Sequence, residues 1–277
     1  MNTKELAIKA HKLKVRSAEI CVARGVGHIT SALSCAEIMT VLYYSVMRYD
    51  RQNPEWPGRD RFVMSKNHGS VITYPILADI GYITEAFLNT FECDGSILGA
   101  HSKICVPGCE FSGGSLGIGL GVSCGMAWAA KNEKSERLVF CLAGDSECQE
   151  GSIWESIMFA GFNKLRNLVM IIDRNGEGCT DFIERTVDIE PLREKMEGFG
   201  WEYREVKDGH DINELLQVFS DLRERDSAKP LCIGARTIKG HGVPFLINKP
   251  WLHGQTPSGK DGELLLKLLK EEKYGLE

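Results

Sequence analysis

The chain has 277 residues, 43% hydrophobic and 26% charged, with a formal net charge of −5, a balance that excludes a disordered, collagen-like or disulfide-stapled chain and leaves length for a sizeable core. Thirty-three Lys and Arg against 38 Asp and Glu are spread along the sequence, so no basic stripe is available for a nucleic-acid backbone and no nucleic acid is expected as a partner. Ten cysteines without a Cys-x-x-Cys pair, most of them inside apolar runs, read as buried free thiols of a reducing, cytoplasmic compartment, with Cys105 and Cys109 more exposed around a Pro-Gly turn.

Residues 3–24 place Leu6, Ala10, Leu13, Ser17 and Ile20 at helical spacing and stop at Gly25, which predicts an amphipathic helix. This start has neither the apolar stretch nor the cleavage site of a secretory signal. A second helix is predicted from Ser34 as N-cap, with Glu37 completing a capping box, to about Met47. After the loop RQNPEWPGRD the pattern changes. RFVMS, RLVFCLAGD, NLVMIIDRN, WEYREV and PLCIGARTI are short strand-like runs separated by helix-compatible stretches. Such alternation predicts an α/β fold with a mainly parallel sheet flanked by helices. The runs 138–143 and 168–172 are apolar throughout, as central strands are, and too short to cross a membrane, so no membrane partner is expected. Their carboxyl ends form the natural ligand crevice. Without a repeat or linker, residues 1–277 read as one domain with a helical N-terminal extension. The terminal GELLLKLLKEEKYG is a short amphipathic helix that covers this domain or docks on a partner.

Chemistry concentrates after the two central strands. Gly144-Asp145-Ser146-Glu147 follows the first and Asp173-Arg174-Asn175 the second, about thirty residues separating Asp145 from Asn175. A helix from Glu150 to Lys164 plus one strand consumes that length, so both side chains emerge at one sheet edge. A carboxylate and an amide oxygen there suit a hard cation, although Asp145 as a helix cap and Asn175 in a turn with Gly176 are equally ordinary uses. The stretch 112–119 is a glycine-rich entry to a helix ending near Lys131, where backbone N–H groups and the helix N-terminus favour an anion. Gly121 and Gly125 are expected to serve helix packing only.

GDSECQEGSIWESIMFAGFNKLRNLVMIIDRN resembles the thiamine diphosphate motif, and GHITSALS (27–34), SKNHG (65–69), LGAH (98–101), GGSLG (113–117) and WLHG (251–254) extend a resemblance to transketolases over nearly the whole chain. The resemblance implies a thiamine diphosphate-binding fold of the diphosphate (PP) type. Asp145 and Asn175 would bind Mg²⁺, or Ca²⁺ or Mn²⁺ in its place, by their side chains and Glu177 by its backbone carbonyl. Ser146, beside Gly144, would offer its N–H to the diphosphate, and Gly114-Ser115-Leu116 would lie against the aminopyrimidine. His68 and His253 correspond to histidines touching diphosphate or substrate, His28 and His101 to those contacting sugar hydroxyls. Glu150 and Glu155 match acidic residues at the subunit contact, Glu150 beside the cofactor. His11, His210 and His241 are left to structural roles.

Ser146 and Thr30 replace family glycines, and Ser102-Lys103 replaces a Pro-acid pair after His101, which points to altered substrate recognition. The family's second α/β domain, with the glutamate that acts on the aminopyrimidine, does not follow. A separate C-terminal transketolase-like subunit carrying the pyrimidine-binding domain is therefore expected, in an α2β2 heterotetramer. The implied activity is transfer of a two-carbon ketol unit from a ketose, phosphorylated by expectation, to an aldehyde. The alternatives are a decarboxylating carboligase, like deoxyxylulose-phosphate synthase or an α-hydroxyketone synthase, and a non-catalytic regulatory subunit.

Overall fold

The computed structural model describes residues 1–271. Helix α1 (Thr3–Arg24) begins with a capping box between Asn2 and Glu5 and ends where Gly25 takes a left-handed φ of 67°. Helix α2 is Ile29–Val41, and the chain continues through a π-turn at Leu42–Val46. The helix predicted over 34–47 thus starts a turn and a half earlier. Ser34 does not cap it: the Oγ donates to Asp173 Oδ1 at 2.8 Å, and Glu37 is ion-paired with Lys14 of α1. The capping-box pattern is a local coincidence overridden by partners far along the chain. Every residue of α2 is buried, so the helix lies inside the core rather than on it. By length and composition Ile29–Val46 is apolar enough to span a membrane, contrary to the reading of the strand runs alone, but most of it is enclosed by the fold.

Strand β1 (Arg61–Met64) leads through a 3₁₀ turn to α3 (Thr73–Asp79) and α4 (Glu85–Leu88); after a long loop come α5 (Ile118–Asn132), β2 (Val139–Gly144), α6 (Gly151–Phe162) and β3 (Leu168–Arg174). The chain closes with α7 (Leu192–Gly198), β4 (Glu202–Val206), α8 (Ile212–Phe219), β5 (Leu231–Arg236) and α9 (Gly259–Glu271). The five strands are all parallel in the order β1-β2-β3-β5-β4. Alternate residues of β2 and β3 serve the two faces. Phe140, Leu142, Val169 and Ile171 pack with α1, α2, α3, α8 and α9, while Val139, Cys141, Met170 and Ile172 pack with α5, α6 and α7. Having no solvated face, these strands are continuously apolar.

Helix α9 buries Leu265 and Leu269 and packs on α1, Lys270 reaching Glu19 at 3.0 Å. Positions 272–275 of the predicted terminal helix lie outside the described residues. All ten cysteines are free thiols; Cys105 and Cys179 are exposed and Cys109 is half-buried. The packing role expected of Gly125 is not met within the chain: a Cβ there would meet nothing within 4 Å, and at Gly121 only Ser156 Oγ at 3.3 Å. The close-packed glycine is Gly119, where a Cβ would fall 2.5 Å from Ser65 Oγ.

Candidate active site

The carboxyl ends of β1, β2, β3 and β5 deliver Lys66, Asp145, Asp173 with Asn175, and Thr237 with Lys239 to one edge of the sheet, as parallel strands must. Asp145 Oδ1 accepts the N–H of Ser146 at 2.8 Å and Oδ2 that of Gly176 at 2.6 Å, tying the two loops together. The Asn175 amide donates through Nδ2 to Ser34 Oγ (3.2 Å) and Asp173 Oδ2 (3.4 Å), while Oδ1 accepts from Glu177 N at 3.1 Å. Asp145 and Asn175 therefore do cap and turn, and they still converge on the cavity, which Ser31, Lys66, His68, Gly144, Ser146, Glu147, Glu177, Lys239 and His253 also line.

Two lysines give this cavity its positive charge. Lys66 is fully buried, ion-paired with Asp173 and donating to the Ser31 carbonyl at 3.2 Å. Lys239 Nζ donates to the carbonyls of Glu177 (3.3 Å) and Gly178 (2.8 Å), and burial, partly offset by Glu177, lowers its pKa to about 8. Burial, with the neighbouring Asp173 charge, raises Asp145 to about 7. Thr237 Oγ1 and Ser34 Oγ complete the shell around Asp173.

Four histidines gather beside these groups. The rings of His68 and His253 are 4.6 Å apart, His28 is 5.4 Å from the first and 5.1 Å from the second, and His101 meets His28 edge-on at 5.8 Å. Burial first, and then neighbouring cationic groups, lowers His28 to about 4, His253 to about 3 and His68 well below its ordinary value. At neutral pH these three rings are uncharged and able to accept as well as donate.

Other expected residues stand apart. Gly114 and Ser115 are exposed and Leu116 half-buried, outside the cavity wall. Glu150 and Glu155 are exposed, and they share their side of the molecule with an apolar strip on α5 and α6: Ile118, Trp128, Met158, Phe159 and Phe162, the last 85% exposed. At the entry to α5 Glu147 takes the N–H of the N-cap residue, accepting from Gly117 N (2.9 Å), Gly144 N (3.1 Å) and Ser65 Oγ (2.6 Å). The Ser146 N–H is likewise engaged by Asp145. Ser146 lies in a right-handed 3₁₀ turn and Thr30 in α2, so neither needs glycine. Ser102 is buried, accepting from Asn67 Nδ2 at 2.9 Å. Lys66, Lys239 and Glu147 lie within the motifs SKNHG, KGHG and GDSE, but sequence spacing does not say where a long side chain ends. A wider cleft of ≈ 750 Å³ adjoins the site and shares Asp145 and Asn175; its Arg174 and Arg236 are engaged by Glu190 and Glu205.

Residues 5–277 match the family "Transketolase, thiamine diphosphate binding domain". Transketolase from Pongo abelii is 39% identical over 247 residues, covering 89% of this chain and 39% of that protein. One subunit of the apulose-4-phosphate transketolase from Phocaeicola vulgatus is 36% identical over 278 residues, covering 100% of this chain and 98% of that one. The crystal structure of transketolase from Campylobacter jejuni superposes with a TM-score of 0.91 at 30% identity, over 98% of this chain and 43% of that one. The chain thus spans about two fifths of the length of the full-length transketolases it matches.

Proposed function

The chain belongs to the transketolase family, within its thiamine diphosphate-binding domain, and from that premise we propose that it is the diphosphate-holding subunit of an enzyme that transfers a two-carbon ketol unit from a phosphorylated ketose to an aldehyde. The carrying observation is one cavity with hard oxygen donors, two buried lysines and clustered neutral histidines. Its unmet valences fit a bound group: Glu177 Oε2, His28 Nδ1 and His253 Nδ1 are buried without a hydrogen-bond partner.

Asp145, Asn175 and the Glu177 carbonyl would hold Mg²⁺, an oxygen set suited to a hard cation that draws its remaining ligands from phosphate and water. Asp173 and Ser34 hold Asn175 Nδ2, which leaves Oδ1 as the oxygen offered to that ion. Lys239, His68 and His253 would contact the diphosphate. When bound, thiamine diphosphate supplies the electron sink for breaking a carbon–carbon bond beside a carbonyl. The neutral imidazoles of His28 and His101 would hold substrate hydroxyls and pass protons at their ring nitrogens.

The relative matched from end to end is named as one subunit of its enzyme, and we extend that arrangement to this chain: residues 1–277 form one diphosphate-binding domain, and a second chain brings the pyrimidine-binding domain in an α2β2 assembly. The apolar strip on α5 and α6, with Glu150 and Glu155, is the surface offered to that assembly. The test is to assay this chain with thiamine diphosphate and Mg²⁺, alone and with the product of the neighbouring gene. Aldose formation from a ketose phosphate is expected only from the mixture. Full activity of this chain alone overturns the two-chain arrangement, and CO₂ release from pyruvate without ketol transfer overturns the transketolase assignment.

A further inference from the structure

One turn along α2 from Ser34, a second buried cluster of titratable groups lies outside the cavity. Lys14 of α1 is ion-paired with Glu37 of α2, their side chains 0% and 2% exposed. Glu37 Oε2 accepts from His210 Nδ1 at 2.9 Å, and His210 Nε2 accepts the backbone N–H of Ile238 at 2.9 Å. Lys14 Nζ also reaches His241 Nδ1 at 2.9 Å, and the two imidazoles stack with centroids 3.6 Å apart and planes 12° from parallel. These partners fix the protons. An ammonium only donates, so the His241 proton sits on Nε2; an amide N–H needs an acceptor, so the His210 proton sits on Nδ1 and goes to Glu37.

Glu37, His210 and His241 bring ligand atoms within 4.8 Å of one another, a spacing compatible with a metal ion. The Lys14 ammonium already lies against Glu37 and His241 and supplies the positive charge, so the cluster fits an ammonium rather than a divalent cation. What it grips is the loop after β5. Ile238 is held through its N–H and His241 through its ring, so Lys239 and Gly240 lie between two anchored residues. Thr237 is tied to Asp173, and the Gly240 N–H to the Thr30 carbonyl at 3.0 Å. From this braced segment Lys239 extends to the carbonyls of Glu177 and Gly178.

We propose that Lys14, Glu37, His210 and His241 are positioning residues, a latch that sets where the Lys239 ammonium stands in the cavity and so tunes affinity for the diphosphate. The inference rests on reading the cavity as a thiamine diphosphate site. The charged and titratable groups facing the stacked rings are Lys14, Glu37 and Asp208, together with each ring's partner. A second proton on His241 would confront Lys14. Burial, then Lys14 and His210, lower His241 to about 4, so its acceptance from Lys14 persists through the neutral range.

The test is a double-mutant cycle in the assembled full-length enzyme, reading thiamine diphosphate affinity by calorimetry at saturating Mg²⁺. His210→Ala is expected to weaken binding about tenfold, and less than about twofold when Lys239→Met is already present. His210→Gln, whose amide both donates to Glu37 and accepts from Ile238, restores most of the loss. Equal losses in the two backgrounds overturn the latch. If His210→Ala does not fold, His241→Phe keeps the stack, removes the acceptor for Lys14 and closes the same cycle. Independently of the cofactor, the acylation rate of Lys239 by acetic anhydride, read by peptide mass spectrometry, is expected to change several-fold in either variant. An unchanged rate overturns the latch. Failure of the wild-type enzyme to bind thiamine diphosphate overturns the reading of the cavity, and the labelling still judges the latch.

Discussion

The cavity and the latch are two buried charged clusters joined by one helix, and they differ in what is left over. In the latch each imidazole has a partner suited to its tautomer, and Glu37 Oε1, which lacks a hydrogen bond, is ion-paired with Lys14. In the cavity Glu177 Oε2, His28 Nδ1 and His253 Nδ1 have none, and Asp145 lies beside the like charge of Asp173. An unmet buried polar atom costs about 1–3 kcal/mol. A fold that balances one cluster and leaves its neighbour unbalanced separates a structural network from a site shaped for a ligand.

That distinction breaks if both clusters respond alike to substitution. The largest expected effect is in the latch: Glu37→Gln strands the Lys14 ammonium in the core and should cost about 3–5 kcal/mol of stability in denaturant unfolding. Adding Lys14→Met should recover most of it, because removing both charges is far milder than removing one. A Glu37→Gln protein as stable as the wild type would dissolve the contrast. Asp145→Ala should show a smaller stability change, because relief of the carboxylate crowded by Asp173 is set against the stranded N–H groups of Ser146 and Gly176, and thiamine diphosphate affinity in Mg²⁺ should fall on the order of 100-fold. Unchanged affinity in calorimetry would remove Asp145 from the metal site.

The same two clusters show how much was legible beforehand. The continuous apolar runs of β2 and β3, each ending in a polar group, announced a parallel sheet and placed Asp145 and Asn175 at one edge, because strand burial and βαβ length are properties of adjacent residues. Ser34 and Glu37 mimic a capping box inside α2, because their partners Asp173 and Lys14 lie far away in sequence. At the glycine-rich entry to α5 the N–H of Gly117 is taken by Glu147, a partner thirty residues away. Nothing in the spacing of His210 and His241 tells that both brace the Lys239 loop. Spacing carries backbone geometry well; the reach of a buried lysine or glutamate is decided only in the assembled core.

A smaller effect, in acid, sharpens the comparison. Burial lowers His241 and His28 to about 4 and His253 to about 3, whereas an unfolded histidine titrates near its ordinary value of 6.5. Between pH 6.5 and about 4 the unfolded chain therefore binds protons that the folded chain refuses. The contribution of these rings to stability is complete above pH 6.5 and is lost as pH falls through that window. His241→Gln, with an amide able to accept from Lys14, should flatten the dependence by one proton's share. The share from His28 and His253 should change when thiamine diphosphate and Mg²⁺ are bound, because the ligand meets those rings and not the latch. Thermal midpoints from pH 7 to pH 5, for both proteins with and without ligand, separate the two contributions. A profile for His241→Gln as steep as that of the wild type would remove His241 from the acid response.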